Sequence, residues 1–328
     1  VNIRGNLFRP ATVLVLAGAG PLGGGTPPTK PVPVPPMAAA RWVTVVKIPG
    51  AGGLAIDKRG APNTTKWGYT LDYMTHTVIK FGTGGHVLRR WKYAAGTQFH
   101  QGGAIAVGGS GNVFVADADH SSVVKFDPSG RELAHWGGFQ IPSGIALDRA
   151  GNIYVGEVGA QRVTKLSPGG TVLAHFTTPW VTGSDLSLPE ALVVSAGGPI
   201  TVAVHCFREN CPPPHGVQEG IVTLSPSGAF VGSLTGQNPY VPAQDQPGTQ
   251  PFVTVGTLAL DRPGNLYAVA TLRNPEDIFY TGILVYHAGT ELTATLTTPG
   301  GCAPGGMAFD AGDVLYITCN GQVLKRIA

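Results

Sequence analysis

Charge is scarce in this chain. Of 328 residues only 12% are Asp, Glu, Lys or Arg, and 22 basic against 19 acidic side chains leave a net +3. The basic residues are scattered rather than massed, which gives no basis for a nucleic-acid or anionic-membrane partner. Methionine is down to three residues and cysteine to four. Low charge with a small, even number of cysteines points to a secreted, extracellular protein. No run of 18 apolar residues occurs, so no helical membrane span is expected. The stretch ATVLVLAGAG (11–20), behind Arg4 and Arg9, resembles a signal-peptide core and is read here as part of the mature chain. There is no nucleophile elbow, no phosphate-cradling glycine loop and no Cys–His pair in a nucleophile's context.

Glycine and proline are abundant instead, 48 and 28 residues, which suits short strands and many turns. One phrase recurs: AIAVGGSGNVFVAD from Ala104, GIALDRAGNIYVGE from Gly144 and TLALDRPGNLYAVA from Thr257. The first two copies align at a spacing of 40, Gly111 with Gly151, Gly130 with Gly170 and Trp136 with Phe176. Each copy reads as four short strands; in the best of them these are GIALD, NIYVGE, RVTKLS and TVLAHF, separated by turn residues. Four strands per period of 40 to 50 residues is the signature of a propeller blade. Looser copies begin at GLAID (53–57), ALVVS (191–195) and GMAFD (306–310), and the last ends one strand short. WVTVVKI (42–48) has no other place in the repeat, so it is expected as the outer strand of the last blade, closing the ring and covering its edge. The expected fold is all-β: a six-bladed β-propeller over residues 41–328 behind an N-terminal arm, residues 1–40.

The pattern P-S-G-I-A-L-D-x-x-G-N-I-Y-V followed by R-V-x-K-L-S-P-G-G resembles the NHL repeat, a family usually built as six-bladed propellers. Its members include amidating lyases, lactonase-like hydrolases, sensor domains and binding platforms, so the resemblance implies a fold and leaves function open. The amidating lyases place histidines at the entrance to the first strands. The equivalent ring here reads Gly52, Gly103, Ser143, Glu190, Gly256 and Gly305, with His100 and His120 nearby.

Three groups of side chains are candidates for function. Asp72, Asp117 and Glu157 end the second strands of three successive blades and, with Glu190, would be the catalytic residues of a metal-dependent lyase or lactonase, around Ca²⁺ or Zn²⁺ on the channel axis. The alternative is that each carboxylate caps its own turn, with no cofactor. Long loops in the fourth and fifth blades carry Trp180, Arg208, Tyr240, Arg273 and Tyr280, residue types that recognise a protein or glycan ligand. His205, Cys206, Cys211 and His215 have zinc-ligand chemistry, but their spacing matches no common zinc module, so a small disulfide loop Cys206–Cys211 is expected. Cys302 and Cys319 flank a hairpin whose antiparallel pairing brings its ends together, so a second bridge is expected there.

The arm belongs to no blade. An apolar segment with Leu7, Phe8, Val13, Val15 and Leu16 is joined to the propeller by GAGPLGGGTPPTKPVPVPP (18–36), a semi-rigid spacer. A lone strand is not stable in water. The expectation is a non-enzymatic binding or assembly propeller whose arm pairs with other copies, an open polymer resulting.

Overall fold

The computed structural model describes residues 40–59, 67–93, 104–178, 188–206, 218–234, 254–273, 279–287 and 291–327. In them the chain forms six four-stranded antiparallel sheets. Strand β1 (Arg41–Lys47) comes first. Blade 1 is β2 (Ala51–Ile56), β3 (Trp67–Asp72), β4 (Thr77–Gly82) and β5 (His86–Lys92). Blade 2 is β6 (Ile105–Val107), β7 (Val113–Asp117), β8 (Ser122–Phe126) and β9 (Glu132–Gly137). Blade 3 is β10 (Pro142–Leu147), β11 (Ile153–Glu157), β12 (Arg162–Leu166) and β13 (Val172–Thr177). Blade 4 is β14 (Leu188–Val194), β15 (Ile200–Cys206), β16 (Gln218–Leu224) and β17 (Phe230–Leu234). Blade 5 is β18 (Thr254–Leu260), β19 (Leu266–Arg273), β20 (Phe279–His287) and β21 (Glu291–Thr297). Blade 6 takes β22 (Gly306–Phe309), β23 (Leu315–Cys319) and β24 (Gln322–Ile327) from the C-terminal end.

Its fourth strand is β1, antiparallel to β24 and on the outside, as the truncated last repeat requires. The register of β1 slips between Thr44 and Val46. The pairing of third and fourth strands slips in the same way in the other blades, for instance at Lys80/Phe81, Lys125/Phe126 and Lys165/Leu166. Strand β1 thus reproduces the bulge of the position it fills. Ala40 and Trp42 fasten it to blade 5, through the Thr297 hydroxyl and carbonyl. The disulfide Cys302–Cys319 is formed in the same blade. Cys211 lies outside the described residues, as does the whole arm with Leu7, Phe8, Val13, Val15 and Leu16.

The second strands β7 and β11 are buried along their whole length, which is why they read as near-continuous apolar runs. Six apolar clusters fill the seams between adjacent blades; Tyr69, Leu71 and Val78 of blade 1, for example, meet Val113 and Val115 of blade 2. The repeat writes the same fastening at successive seams. Trp91, Trp136 and Phe176, from outer strands, each lie on the turn glycine of the next blade: Gly130, Gly170 and Gly228. Those glycines have φ of 86°, 90° and 86°, and a Cβ at any of them would collide with the ring. Lys80 and Lys125 reach across the same seams to the carbonyls of Pro128 and Pro168. On the way their ammonium groups pass over the rings of Trp67 and Phe114.

Candidate functional site: the central channel

The first strand of each blade faces the axis, and together they line a channel of about 520 Å³. Its lining residues are largely Ala, Val, Leu, Ile and Gly, and polar atoms contribute about as much of the exposed wall as apolar ones. Among the lining residues only Lys58 and Glu190 are charged.

One mouth is shaped by bulges. Where first and second strands pair, the register slips between Ala51 and Leu54, Pro142 and Gly144, Pro189 and Ala191, and Val255 and Leu258. The extra residues include Gly53, Ser143, Glu190, Gly256 and Thr257, all of which line the channel. A bulge re-aims the side chain it inserts. Here it turns to the lumen positions that regular pairing would turn elsewhere. Two of the polar groups at this mouth are occupied: the Tyr73 phenol accepts from Gly53 N–H at 2.6 Å, and the Ser143 hydroxyl donates to the Pro189 carbonyl at 2.7 Å. Burial pushes the Tyr73 phenol up to about 12, so it stays protonated. Glu190 is half-buried, and its Oε1 lies 2.7 Å from Nδ1 of the buried His205 on the neighbouring strand β15. With Nδ1–H donating to the carboxylate, the imidazole is fixed in one orientation.

The acidic ring is directed elsewhere. Asp72 accepts from Met74 N–H and the Thr75 hydroxyl, and Asp117 accepts from His120 N–H with the His120 Nδ1 at 2.8 Å. These two cap their own turns. Glu157 does more: it accepts from Gln140 N–H, Arg162 Nε and the Thr164 hydroxyl, all while fully buried. Burial works to raise its carboxyl, and the hydrogen bonds from Arg162, Thr164 and Gln140 together bring it below the usual carboxylate value. Among the described residues no group of three or more His, Cys, Asp and Glu is placed to hold a metal ion. The donors of Asp72 and Asp117 are engaged in their own turns, and those of Glu157 by Gln140, Arg162 and Thr164.

His120 belongs to a small network across the seam of blades 1 and 2. His76 Nε2 is 3.3 Å from Asp119 Oδ2, and the His76 ring meets Tyr93 and His120 edge-on. Sequence reasoning also missed the Glu190–His205 pair. Its signal was the proline at 189 ahead of Glu190, which marks a bulge rather than a regular strand. Of the recognition residues on the loops, Trp180, Arg208 and Tyr240 lie outside the described residues, and so do Gly103, His100 and His215. Arg273 and Tyr280 end β19 and begin β20, where Leu272 pairs with Tyr280 and Arg273 with Phe279. Cys206 pairs with Gln218 across β15 and β16.

No family model matches the chain, and no curated protein matches it in sequence. Solved structures do. A catalytically inactive variant of virginiamycin B lyase from Staphylococcus aureus with quinupristin aligns over 88% of this chain and 99% of its own, with TM-score 0.52 and 10% identity. The gluconolactonase XC5397 from Xanthomonas campestris covers 88% and 89%, with TM-score 0.58 and 16% identity. The WD40 repeats of RRP9 cover 87% and 96%, with TM-score 0.54 and 10% identity. At such identities the likeness is one of fold: this chain is a six-bladed propeller similar to lyase, lactonase and WD40 propellers alike.

Proposed function

We propose that the protein is an extracellular, non-enzymatic binding propeller whose channel holds a small, largely apolar ligand, and whose N-terminal arm joins copies together. The carrying observation is the channel: about 520 Å³, lined mostly by apolar side chains with polar backbone groups exposed between them, and with Glu190 and Lys58 the only charged groups among its lining residues. Small-molecule sites have this size and this economy of polar groups. The bridge Cys302–Cys319 and the lack of a long apolar helix among the described residues fit an extracellular setting. The NHL-like repeat supports the same reading, since many such propellers bind without catalysis.

The test is a neutral fluorescent probe, N-phenyl-1-naphthylamine, titrated into the full chain. Saturable binding at one site is expected. Gly256 lines the channel, and a Cβ there meets nothing within 4 Å, so Gly256→Trp should plug the mouth without disturbing the fold. Binding should fall at least tenfold while the melting temperature holds. Absence of saturable binding, or binding indifferent to the plug, overturns the reading.

A second reading is supported by the Glu190–His205 pair. A carboxylate-oriented imidazole is the arrangement of a general base, and two of the similar folds are a lyase and a gluconolactonase. Turnover of a lactone that His205→Ala abolishes in a folded protein would make this chain a hydrolase.

A further inference from the structure

Basic residues are scattered in the sequence, but the fold gathers some of them on one stretch of the rim. Among the described residues, Arg59, Arg131, Arg162 and Arg262 pair with carboxylates. Lys80, Lys92 and Lys125 hold backbone carbonyls, and Lys165 lies over the Tyr154 ring. Of the cations left without such a partner, Lys58 and Arg149 stand apart. The rest, Arg41, Lys47, Arg89, Arg90, Lys325 and Arg326, all lie on β1, β5 and β24.

Those three strands lie together. Strand β1 pairs with β24, the Val45 carbonyl lies against Gly85, and Val87 of β5 packs with Val45 and Val46. None of the three contains Asp or Glu. Lys325 is opposite both Val43 and Tyr316, on the face turned to blade 1, and Arg41 is its diagonal neighbour on that face, about 7–8 Å away. Arg90 is opposite Ile79 and so is turned to blade 6. Arg89 and Arg326, at alternate positions, turn to the flanks. The two outer strands run in the same sense with Val45 level with Gly85, so Lys47 stands between the two groups. The cations form a strip on the order of 30 Å long from Arg41 to Arg90. Carboxylates on the flanks are already held: Asp127 by Ser129 and Arg131, and Asp313 by Arg262.

Lys and Arg on an edge strand also discourage edge-to-edge pairing. That task falls equally on the other outer strands, yet β9, β13, β17 and β21 contain no Lys or Arg, while Leu133, Leu173 and Val231 are exposed on them. Edge protection therefore does not account for cations massed at blades 6 and 1 alone. We propose that this strip binds a linear sulfated polysaccharide. Guanidinium forks match sulfate and carboxylate oxygens and are weakly hydrated. A chain of regularly spaced anions follows a narrow run of cations on a convex rim, whereas a flat bilayer would meet only a few of them. Single-stranded nucleic acid needs aromatic faces to stack on. The rings on these strands are taken: Trp42 donates to the Thr297 carbonyl, and Trp91 lies on Gly130. The strip is separate from the channel and the arm and rests only on the extracellular reading, the setting in which such polysaccharides occur.

Heparin titrated into the full chain, followed by calorimetry, tests this. Saturable binding is expected, weakening roughly tenfold as salt rises from about 0.05 M to about 0.3 M. Arg41→Gln with Arg90→Gln should weaken it at least about tenfold through lost charge-assisted contacts. Lys47→Gln with Arg89→Gln, also at exposed positions, should act in the same direction, so misfolding of one variant leaves the test intact. Arg131→Gln with Arg149→Gln removes the same charge elsewhere and should weaken binding less than about twofold. All are expected to keep the wild-type melting temperature. Desulfated heparin, poly(dT) and phosphatidylserine vesicles should each bind at least about tenfold more weakly than heparin. Absence of heparin binding, equal loss in the rim and control variants, or equal binding of DNA or vesicles overturns the proposal. N-phenyl-1-naphthylamine reads the channel separately. Heparin binding by native protein whose Cys302 and Cys319 titrate as free thiols would uphold the strip and reject the extracellular reading.

Discussion

Glu157 shows how the fold holds a buried carboxylate in its charged form. Its carboxylate is fully buried at the end of β11 and receives Gln140 N–H, Arg162 Nε and the Thr164 hydroxyl. A buried charge so held stabilises only while it is ionised. Because the hydrogen bonds outweigh burial and leave its carboxyl below the ordinary 4.5, its contribution is fully present above that value. It is lost as pH falls through the lower folded value. Glu157→Gln should therefore cost about 2 kcal/mol at pH 7, the loss of charge-assisted bonds at a buried site. In urea titrations the gap between wild type and variant should narrow progressively below about pH 4. A gap independent of pH would mean that shape, not charge, is what the site requires.

At the scale of strands and turns, most of the architecture was legible because one repeat had to satisfy the same seam several times. The Gly-Asn turns, the period of 40 and the orphan segment at 42–48 lead to the blades and the closing strand that the structure shows. The bulges at the channel mouth were only partly legible: Pro189 signals one of them, but where the register slip then points Glu190 follows only from the pairing. Pairing of Glu190 with His205 joins positions 15 apart, and no local periodicity reports it. The seam fastenings were half legible: Gly130 aligned with Gly170 and Trp136 with Phe176, but only the structure puts the ring of one blade on the glycine of the next. That contact separates two glycines of similar backbone. Gly170 has φ 90° and Trp136 Nε1 2.0 Å from any added Cβ, whereas Gly264 has φ 95° and nothing within 4 Å. Gly264→Ala should cost about 1 kcal/mol for left-handed backbone alone. Gly170→Ala should cost about 3 kcal/mol or more, since the indole must leave the seam as well. Equal losses in denaturant titration would show that the ring moves aside freely.

Over the whole molecule, stability and assembly separate along the first 49 residues. Strand β1 completes blade 6, pairing from Arg41↔Ile327 to Lys47↔Gln322, so the ring is held shut by a segment remote in sequence from the rest of that blade. Residues 1–39 lie outside the described residues. A chain beginning at residue 40 should keep the melting temperature of the full protein. One beginning at Gly50 should lose β1, expose the edge of β24 and aggregate or unfold, because an open sheet edge is a template for pairing. The arm carries a different expectation. The spacer 18–36, extended at roughly 3 Å per residue, reaches on the order of 50 Å. That is enough for the apolar segment with Leu7, Phe8, Val13, Val15 and Leu16 to meet a neighbouring propeller. A contact between unlike surfaces does not close upon itself unless its rotation makes a ring, so it produces open chains. Light scattering of the full protein should show mass rising with concentration. Removal of residues 1–25 should return a single propeller mass with unchanged melting. A full-length protein that remains monomeric at high concentration rejects assembly through the arm.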